Sequence, residues 1–333
     1  MSFTYGGIDL GGTKIEAILL DAGSGKVLGQ SRRPTPTQGG PQAIAKAMAD
    51  TLGEAAAEAK LHLDVLDAVG VGSPGEVDPD TGSVANARNL SEWEDSFPLA
   101  AVLSEQVGAK VMVGNDVDVA TLAEFELGAG RDANSLLGVF WGTGVGGGLV
   151  LDGQLWRGRD SAGEIGHMVV KRKGARCPCG RRGCMEAYSG RKAMEQRARR
   201  DAERGQKTAL FSIMRDHGRD SLSSGVWAHA LEHGDALAHR LVDRAVKALG
   251  AGVASAVNLL DVELVVIGGG LGTRFGPQMA ARIDDAMRPH LFNDHRPPEV
   301  RVAGLGDLGG AIGATLLCGP IAGAQIHLAA DPS

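Results

Sequence analysis

The sequence predicts an α/β protein of two similarly built domains facing a cleft. Its 333 residues exceed the ~100–200 of one ordinary domain. Apolar runs that read as strands are followed by alanine-rich stretches with helical spacing. An order of strand, glycine turn, strand and Asp/Gly turn also occurs twice, about 130 residues apart. With 43% hydrophobic and 22% charged residues, the chain has enough apolar surface for a core of this size.

The first thirty residues read as a three-stranded antiparallel meander over Tyr5–Leu10, Ile15–Leu20 and Val27–Gln30, with turns at Gly11-Gly12 and Asp21–Gly25. Pro41–Lys60 has helical spacing, and Ala68–Val71 is a short strand ending in the loop Gly72-Ser73-Pro74-Gly75. Phe97–Gln106 predicts a helix, Lys110–Val113 a strand and Asp116–Leu127 a helix that Asp116 is placed to cap. The second beginning comprises Leu136–Trp141, the glycine loop 142–148, Leu149–Leu151 and Asp152-Gly153. Helical stretches at Arg191–Arg219 and Asp235–Leu260, a strand at Glu263–Ile267 and a last helix at Gly309–Leu317 complete the reading.

Several function classes are disfavoured. A net charge of -6 does not suggest the basic face that a phosphate backbone requires, so no nucleic-acid partner is expected. No run of ~18 apolar residues is present, and Met1–Gly6 lacks the pattern of a secretory signal, so a cytoplasmic location away from membranes is expected. In that reducing compartment the four cysteines are poor disulfide candidates, and three of them crowd into residues 177–184.

Three glycine turns follow strands. Asp9-Leu10-Gly11-Gly12-Thr13-Lys14 combines an acid, bare backbone amides, a hydroxyl and a cation, the parts of a metal–phosphate site, although a plain hairpin turn has the same composition. Gly142–Gly148 has a dinucleotide-like glycine order but runs into an apolar strand instead of opening a helix, which disfavours a Rossmann reading. With Gly268-Gly269-Gly270, these turns suggest a nucleoside triphosphate lying along one cleft. Asn115-Asp116 puts a carboxylate at the mouth of a parallel sheet, as a general base or as a helix cap, and the two roles are compatible.

His167, Cys177, Cys179 and Cys184 give one imidazole and three thiolates, the ligand count of a closed tetrahedral zinc site. Four protein ligands leave no position for activated water, so this zinc is structural. Glu164 and Glu186 flank the ligands, where carboxylates suit polyol hydroxyls.

Taken together, Asp-x-Gly-Gly-Thr-Lys, Gly72–Gly75, Asn115-Asp116, Gly-Thr-Gly-x-Gly-Gly-Gly, Glu-x-Gly-His and Cys-x-Cys-Gly-x-x-Gly-Cys-x-Glu resemble the ROK family of bacterial sugar kinases, most closely its glucokinases. The resemblance spans nearly the whole chain. It implies a two-domain actin-like (RNase H-like) fold with an interdomain cleft and a structural zinc loop. The small domain would cover 1–116, with a C-terminal helix at about 318–333 packing back on it, and the large domain 117–317, with the zinc loop at 167–184.

The resemblance also implies ATP with Mg2+, a hexose substrate and a homodimer. Asp116 matches the catalytic base for the sugar C6 hydroxyl, and Gly75, Asn89, Asn115, Glu164, His167 and Glu186 match sugar-binding positions. Asp9, Gly11, Gly12, Thr13, Lys14, Thr143 and Gly144 match phosphate motifs, and Gly269 and Gly270 the adenosine turn. Asn86-Ala87-Arg88-Asn89-Leu90 with Trp93 resembles a glucokinase segment, which favours glucose over N-acetylhexosamines and fructose.

Three departures stand out: Arg88 replaces a proline, Asp118 stands where Asn is frequent, and Glu186–Gly190 is one residue short. Asp118 adds negative charge near Asp116, which raises a carboxyl pKa. The family's transcriptional repressors carry a winged helix-turn-helix before the sugar-binding body, whereas here the first strand begins within five residues of Met1. A sugar sensor without activity has no need for Asp116.

Overall fold

The computed structural model describes residues 3–87 and 89–321. The C-terminal helix expected at about 318–333 lies outside them from residue 322 onward, as does Arg88. The chain divides into two compact units, Met1–Arg131 with Asp307–Ser333, and Asp132–Gly306.

The first unit opens with β1 (Thr4–Leu10), β2 (Lys14–Asp21), β3 (Lys26–Pro34), α1 (Gly40–Glu58) and β4 (Ala68–Ser73). A small hairpin of β5 (Glu76–Asp78) and β6 (Ser83–Ala85) precedes α2 (Leu99–Val107), β7 (Lys110–Asn115) and α3 (Asp116–Glu126). The second unit contains β8 (Leu136–Trp141), β9 (Val145–Leu151), β10 (Gln154–Leu155), α4 (Glu186–Ser189), α5 (Arg191–Glu203), α6 (Leu210–Asp216) and α7 (Ser224–Glu232). It closes with α8 (Ala236–Leu260), β11 (Leu264–Gly268), α9 (Gly269–Met287) and β12 (Glu299–Val302), and α10 (Gly309–Thr315) returns to the first unit.

The two main sheets are built alike. The first has the order β3-β2-β1-β4-β7 and the second β10-β9-β8-β11-β12. In each, the first three strands in sequence form an antiparallel meander and the last two add in parallel. The repeated order read from the sequence is therefore a repeat of topology.

In the first unit, helices cover both faces of the sheet. Neighbouring residues on a strand point to opposite faces. A Cβ on Gly6 would meet Leu52 of α1 at 3.2 Å, and one on Gly7 would meet the Ala311 carbonyl of α10 at 2.1 Å. Burial from both sides explains why β4 is buried at every position. Ile44, Met48 and Leu52 line the buried stripe of α1, at the spacing of one helix face. Gly70 permits the docking of α10, since a Cβ there would sit 1.7 Å from the Ala314 carbonyl.

The second core gathers around α8, whose long apolar stripe includes Leu241, Ala245, Leu249 and Val253. Asp235 caps that helix by accepting from the Ala238 amide at 2.8 Å. Helix α9 is absent from the sequence reading for a physical reason: Gly276 adopts φ 67 and Pro277 follows, which breaks the helical pattern in mid-course. The expected helical stretch 191–219 resolves into α5 and α6, and α7 is an addition.

Candidate functional site

In the first unit, the β1–β2 turn holds Gly11, Gly12 and Thr13. Gly11 donates its amide to the Lys14 carbonyl at 2.9 Å, and Thr35 Oγ1 donates to the Gly11 carbonyl at 2.7 Å. The Gly12 and Thr13 amides donate to no protein group among the described residues, so two adjacent donors are available to an anion. Asn89 lies against this turn: a Cβ on Gly12 would be 3.1 Å from its carbonyl and 3.3 Å from its Nδ2. Lys14 is ion-paired with Glu16, a buried carboxylate that also accepts from Arg32 at 2.7 Å and 3.0 Å.

Asp9 stands near the end of β1, in register with Gly72 of β4. Its carboxylate makes no hydrogen bond or ion pair among the described residues, and a Cβ on Gly310 would lie 2.6 Å from its Cγ. Burial pushes its pKa up to about 6, with Lys14 opposing and Glu16 adding to the rise. Gly72 also borders Asp116, since its Cβ would be 3.5 Å from the Asp116 Cα. Burial raises the Asp116 pKa to about 7, the charge of Asp9 adds to it, and Asp118 contributes the least of the named causes. The charge expected from Asp118 therefore acts in the predicted direction but is secondary.

The cap of α3 is Asn115, not Asp116. Asn115 Oδ1 accepts from the Val117 and Asp118 amides at 3.0 Å and 3.2 Å, leaving its Nδ2 as a donor. Asp116 Oδ1 takes one bond from the Val117 amide at 2.9 Å, and Oδ2 accepts from no other residue among those described. Gly75, at φ 99, turns the chain against Ala85–Ala87, just ahead of Asn89.

In the second unit, the β8–β9 turn repeats this arrangement. Gly142 donates to the Gly144 carbonyl at 3.0 Å, while the Gly142 and Thr143 carbonyls accept from the Arg191 and Lys192 amides at 3.0 Å and 3.2 Å. The Thr143 and Gly144 amides have no protein acceptor among the described residues. Gly269 and Gly270 begin α9 beside the turn: a Cβ on Gly142 would be 3.7 Å from the Gly270 amide, and Gly269, at φ 77, packs on the Trp141 backbone.

His167, Cys177, Cys179 and Cys184 place one ligand atom each within 4.8 Å of one another. Cys179 and Cys184 sulfurs are 3.7 Å apart, and Cys177 Sγ is 3.8 Å from His167 Nδ1. Tetrahedral coordination with ~2.3 Å zinc–sulfur bonds separates sulfurs by ~3.8 Å, so this donor set fits a structural zinc site. Burial pushes the Cys177 and Cys184 thiols up, and a bound cation would offset that cost by stabilising the thiolates. His167 Nε2 faces Glu164 Oε2 at 3.8 Å. Glu186 reaches both features: Oε1 lies 3.8 Å from Cys177 Sγ, and Oε2 accepts from the Val145 amide at 3.0 Å.

The site residues read from the sequence thus form two sets, one per unit. Three contributors are additions. Gly72 borders both acids, Tyr188 accepts from the Ala175 amide at 2.7 Å to hold the cysteine loop, and Arg191 grips Thr143. The one signal for Arg191 was its place directly after the shortened segment 186–190.

A model of the ROK family matches residues 5–320. The chain is 31% identical over 318 residues to the glucokinase of Thermotoga maritima, across 92% of this chain and 95% of that protein. It is 33% identical to the N-acetylgalactosamine kinase AgaK of Shewanella sp., across 94% and 96%. The solved ROK family glucokinase of Streptomyces griseus, in complex with glucose and AMPPNP, matches with a TM-score of 0.79 and 30% identity over 94% of this chain and 98% of that one.

Proposed function

The chain belongs to the ROK family of sugar kinases and has that family's actin-like pair of α/β sheets; from this premise we propose that it transfers the γ-phosphoryl group of ATP to the C6 hydroxyl of glucose. The observation that carries the proposal is Asp116, a desolvated carboxylate with a pKa near 7 and one open oxygen, next to Asp9 and a turn with two available amides. Asp116 takes the C6 hydroxyl proton as that oxygen attacks the γ-phosphorus. Such proton removal is worth ~10²–10⁴ in rate, and positioning with charge neutralisation supplies the remainder.

The Gly12, Thr13, Thr143 and Gly144 amides and Lys14 hold phosphate oxygens, Gly11 shapes the first turn through its bond to the Lys14 carbonyl, and Gly269-Gly270 receives the adenosine. Asn89, Asn115, Glu164, His167 and Glu186 bind sugar hydroxyls, and Gly75 packs on the ring. Asp9, desolvated and without a hydrogen-bond or ion-pair partner among the described residues, suits a divalent cation and would hold the Mg2+ that accompanies ATP and neutralises phosphate charge. His167 would give Nδ1 to zinc beside Cys177, Cys179 and Cys184, which leaves Nε2 on the Glu164 side for a hydroxyl.

The likeness to an N-acetylgalactosamine kinase at 33% identity favours a second reading, an N-acetylhexosamine kinase. A coupled assay with ATP and magnesium over glucose, mannose, fructose and the N-acetylhexosamines separates them. Turnover that peaks on glucose and vanishes in Asp116→Ala is expected. A peak on an N-acetyl sugar selects the second reading. Sugar binding without phosphorylation of any of them makes the protein a sensor.

A further inference from the structure

The β8–β9 turn is braced from behind by a cation. Arg191 is half-buried at the start of α5, and its guanidinium donates from Nη2 to Thr143 Oγ1 at 3.0 Å and from Nη1 to the Leu222 carbonyl at 3.1 Å. It forms no ion pair among the described residues. Glu195, the acid that most affects it, is bonded to Arg199 and the Leu222 amide. Desolvation pulls the Arg191 pKa down. A guanidinium withdrawn from water toward neutral oxygens is costly unless negative charge comes near.

The outward-facing chemistry is narrow. The first two amides of α5 are taken by the Gly142 and Thr143 carbonyls. What remains is the Thr143 hydroxyl and the two available amides. A threonine oxygen has two lone pairs and one proton. With Arg191 donating to a lone pair, the O–H is left to donate away from the guanidinium. A positive charge at that distance also disfavours Thr143 as a metal ligand, the part a P-loop threonine plays.

We infer that Arg191 is a positioning residue of the nucleotide site: it orients the Thr143 hydroxyl to donate to a phosphate oxygen of ATP and places positive charge behind the turn. The inference rests on the kinase reading. It also gives the shortened segment a consequence, because α4 is followed by Gly190 alone and α5 begins at Arg191, directly beside the turn.

The test is calorimetry of ATP and of adenosine on the full chain, with KM for ATP and sugar, in Arg191→Met, Arg191→Lys, Thr143→Val and the Arg191→Met/Thr143→Val double variant. Arg191→Met is expected to weaken ATP about tenfold, the scale of a charge-assisted bond, with adenosine and sugar affinity unchanged. The double variant is expected to be no weaker than its weaker parent by more than ~2-fold, since the two side chains act as one unit. Lysine is expected to recover part of the loss, because it lacks the fork that holds both oxygens.

Equal weakening of ATP and adenosine, unchanged ATP affinity in Arg191→Met, or full additivity in the double variant overturns the inference. If Arg191→Met does not fold, Arg191→Lys and Thr143→Val give the same ATP-against-adenosine comparison. If the parent protein binds ATP and phosphorylates no sugar, the kinase reading falls, and that comparison still decides the role of Arg191.

Discussion

Glu186 accepts a hydrogen bond from the backbone amide of Val145 through Oε2 at 3.0 Å, while its other oxygen lies 3.8 Å from the sulfur of Cys177. One carboxylate therefore anchors the first residue of β9 and stands beside the cysteine cluster, where a zinc-bound Cys177, a thiolate without a proton, gives it no hydrogen bond. The loop that carries the cluster has little regular structure of its own between β10 and α4, apart from a single helical turn at Ile165–His167. Its shape therefore depends on the metal that its donor set fits and on bonds such as that from the Ala175 amide to the Tyr188 hydroxyl.

Zinc removal is expected to loosen the candidate sugar residues together. Cys184→Ser, or exhaustive chelation, should reduce zinc from one per chain to a small fraction by elemental analysis. Each 1 kcal/mol lost should lower the melting temperature by ~2–4 °C. Sugar affinity should fall with it, because His167 and Glu186 would lose their fixed positions. A chelated protein with unchanged melting temperature and sugar affinity would show the metal to be dispensable.

Gly144→Ala tests the bond between Glu186 and the Val145 amide. A Cβ there would sit 2.3 Å from Glu186 Oε2, so the carboxylate must move and the Val145 bond must break. Loss of that bond should cost about 1–3 kcal/mol in urea unfolding and raise the KM for ATP. A variant with parental stability and parental KM would mean that Glu186 has another rotamer of equal quality.

Legibility followed locality. The hairpins at Asp9–Lys14 and Gly142–Val145 were readable because apolar runs bracket glycines, and the zinc set because its ligands share a short stretch of chain. The cap of α3 was not. Asn115 and Asp116 are adjacent and both carry a capping oxygen, and only the extended backbone at Asn115, φ -64 and ψ 139, decides between them. Arg191 and Thr143 meet across 48 positions, which no local pattern encodes. Helix α9 was hidden because Gly276 and Pro277 interrupt its period.

Asn115 combines two roles that substitution can separate. Its Oδ1 caps α3, and its Nδ2 remains as a donor. Serine is as good a cap but lacks the amide. Asn115→Ser should stay within ~0.5 kcal/mol of the parent in urea unfolding, while Asn115→Ala should lose ~1 kcal/mol. Both should raise the sugar KM about tenfold, the scale of one hydrogen bond to a polar ligand. If only the alanine variant loses sugar affinity, capping is the whole role of Asn115.

Asp116 carries a pH dependence whose sign differs for activity and for stability. A base acts when ionised, so kcat/KM should rise with pH and level above about 7. Its folded-state pKa lies above the ordinary 3.8, so between these values the folded chain holds a proton that the unfolded chain has released. Stability therefore falls as pH rises from about 4 to about 7 and is level beyond that. Because Asp116 is partly exposed, the cost at pH 8 is on the order of 2 kcal/mol. Asp116→Asn removes the charge at nearly constant shape. In ligand-free melts at pH 5, 6, 7 and 8 it should exceed the parent by a margin that widens with pH, to roughly 4–8 °C, while turnover is lost. A margin that stays constant across this range would mean that Asp116 is ionised throughout, and the acid limb of the rate profile would then belong to another group.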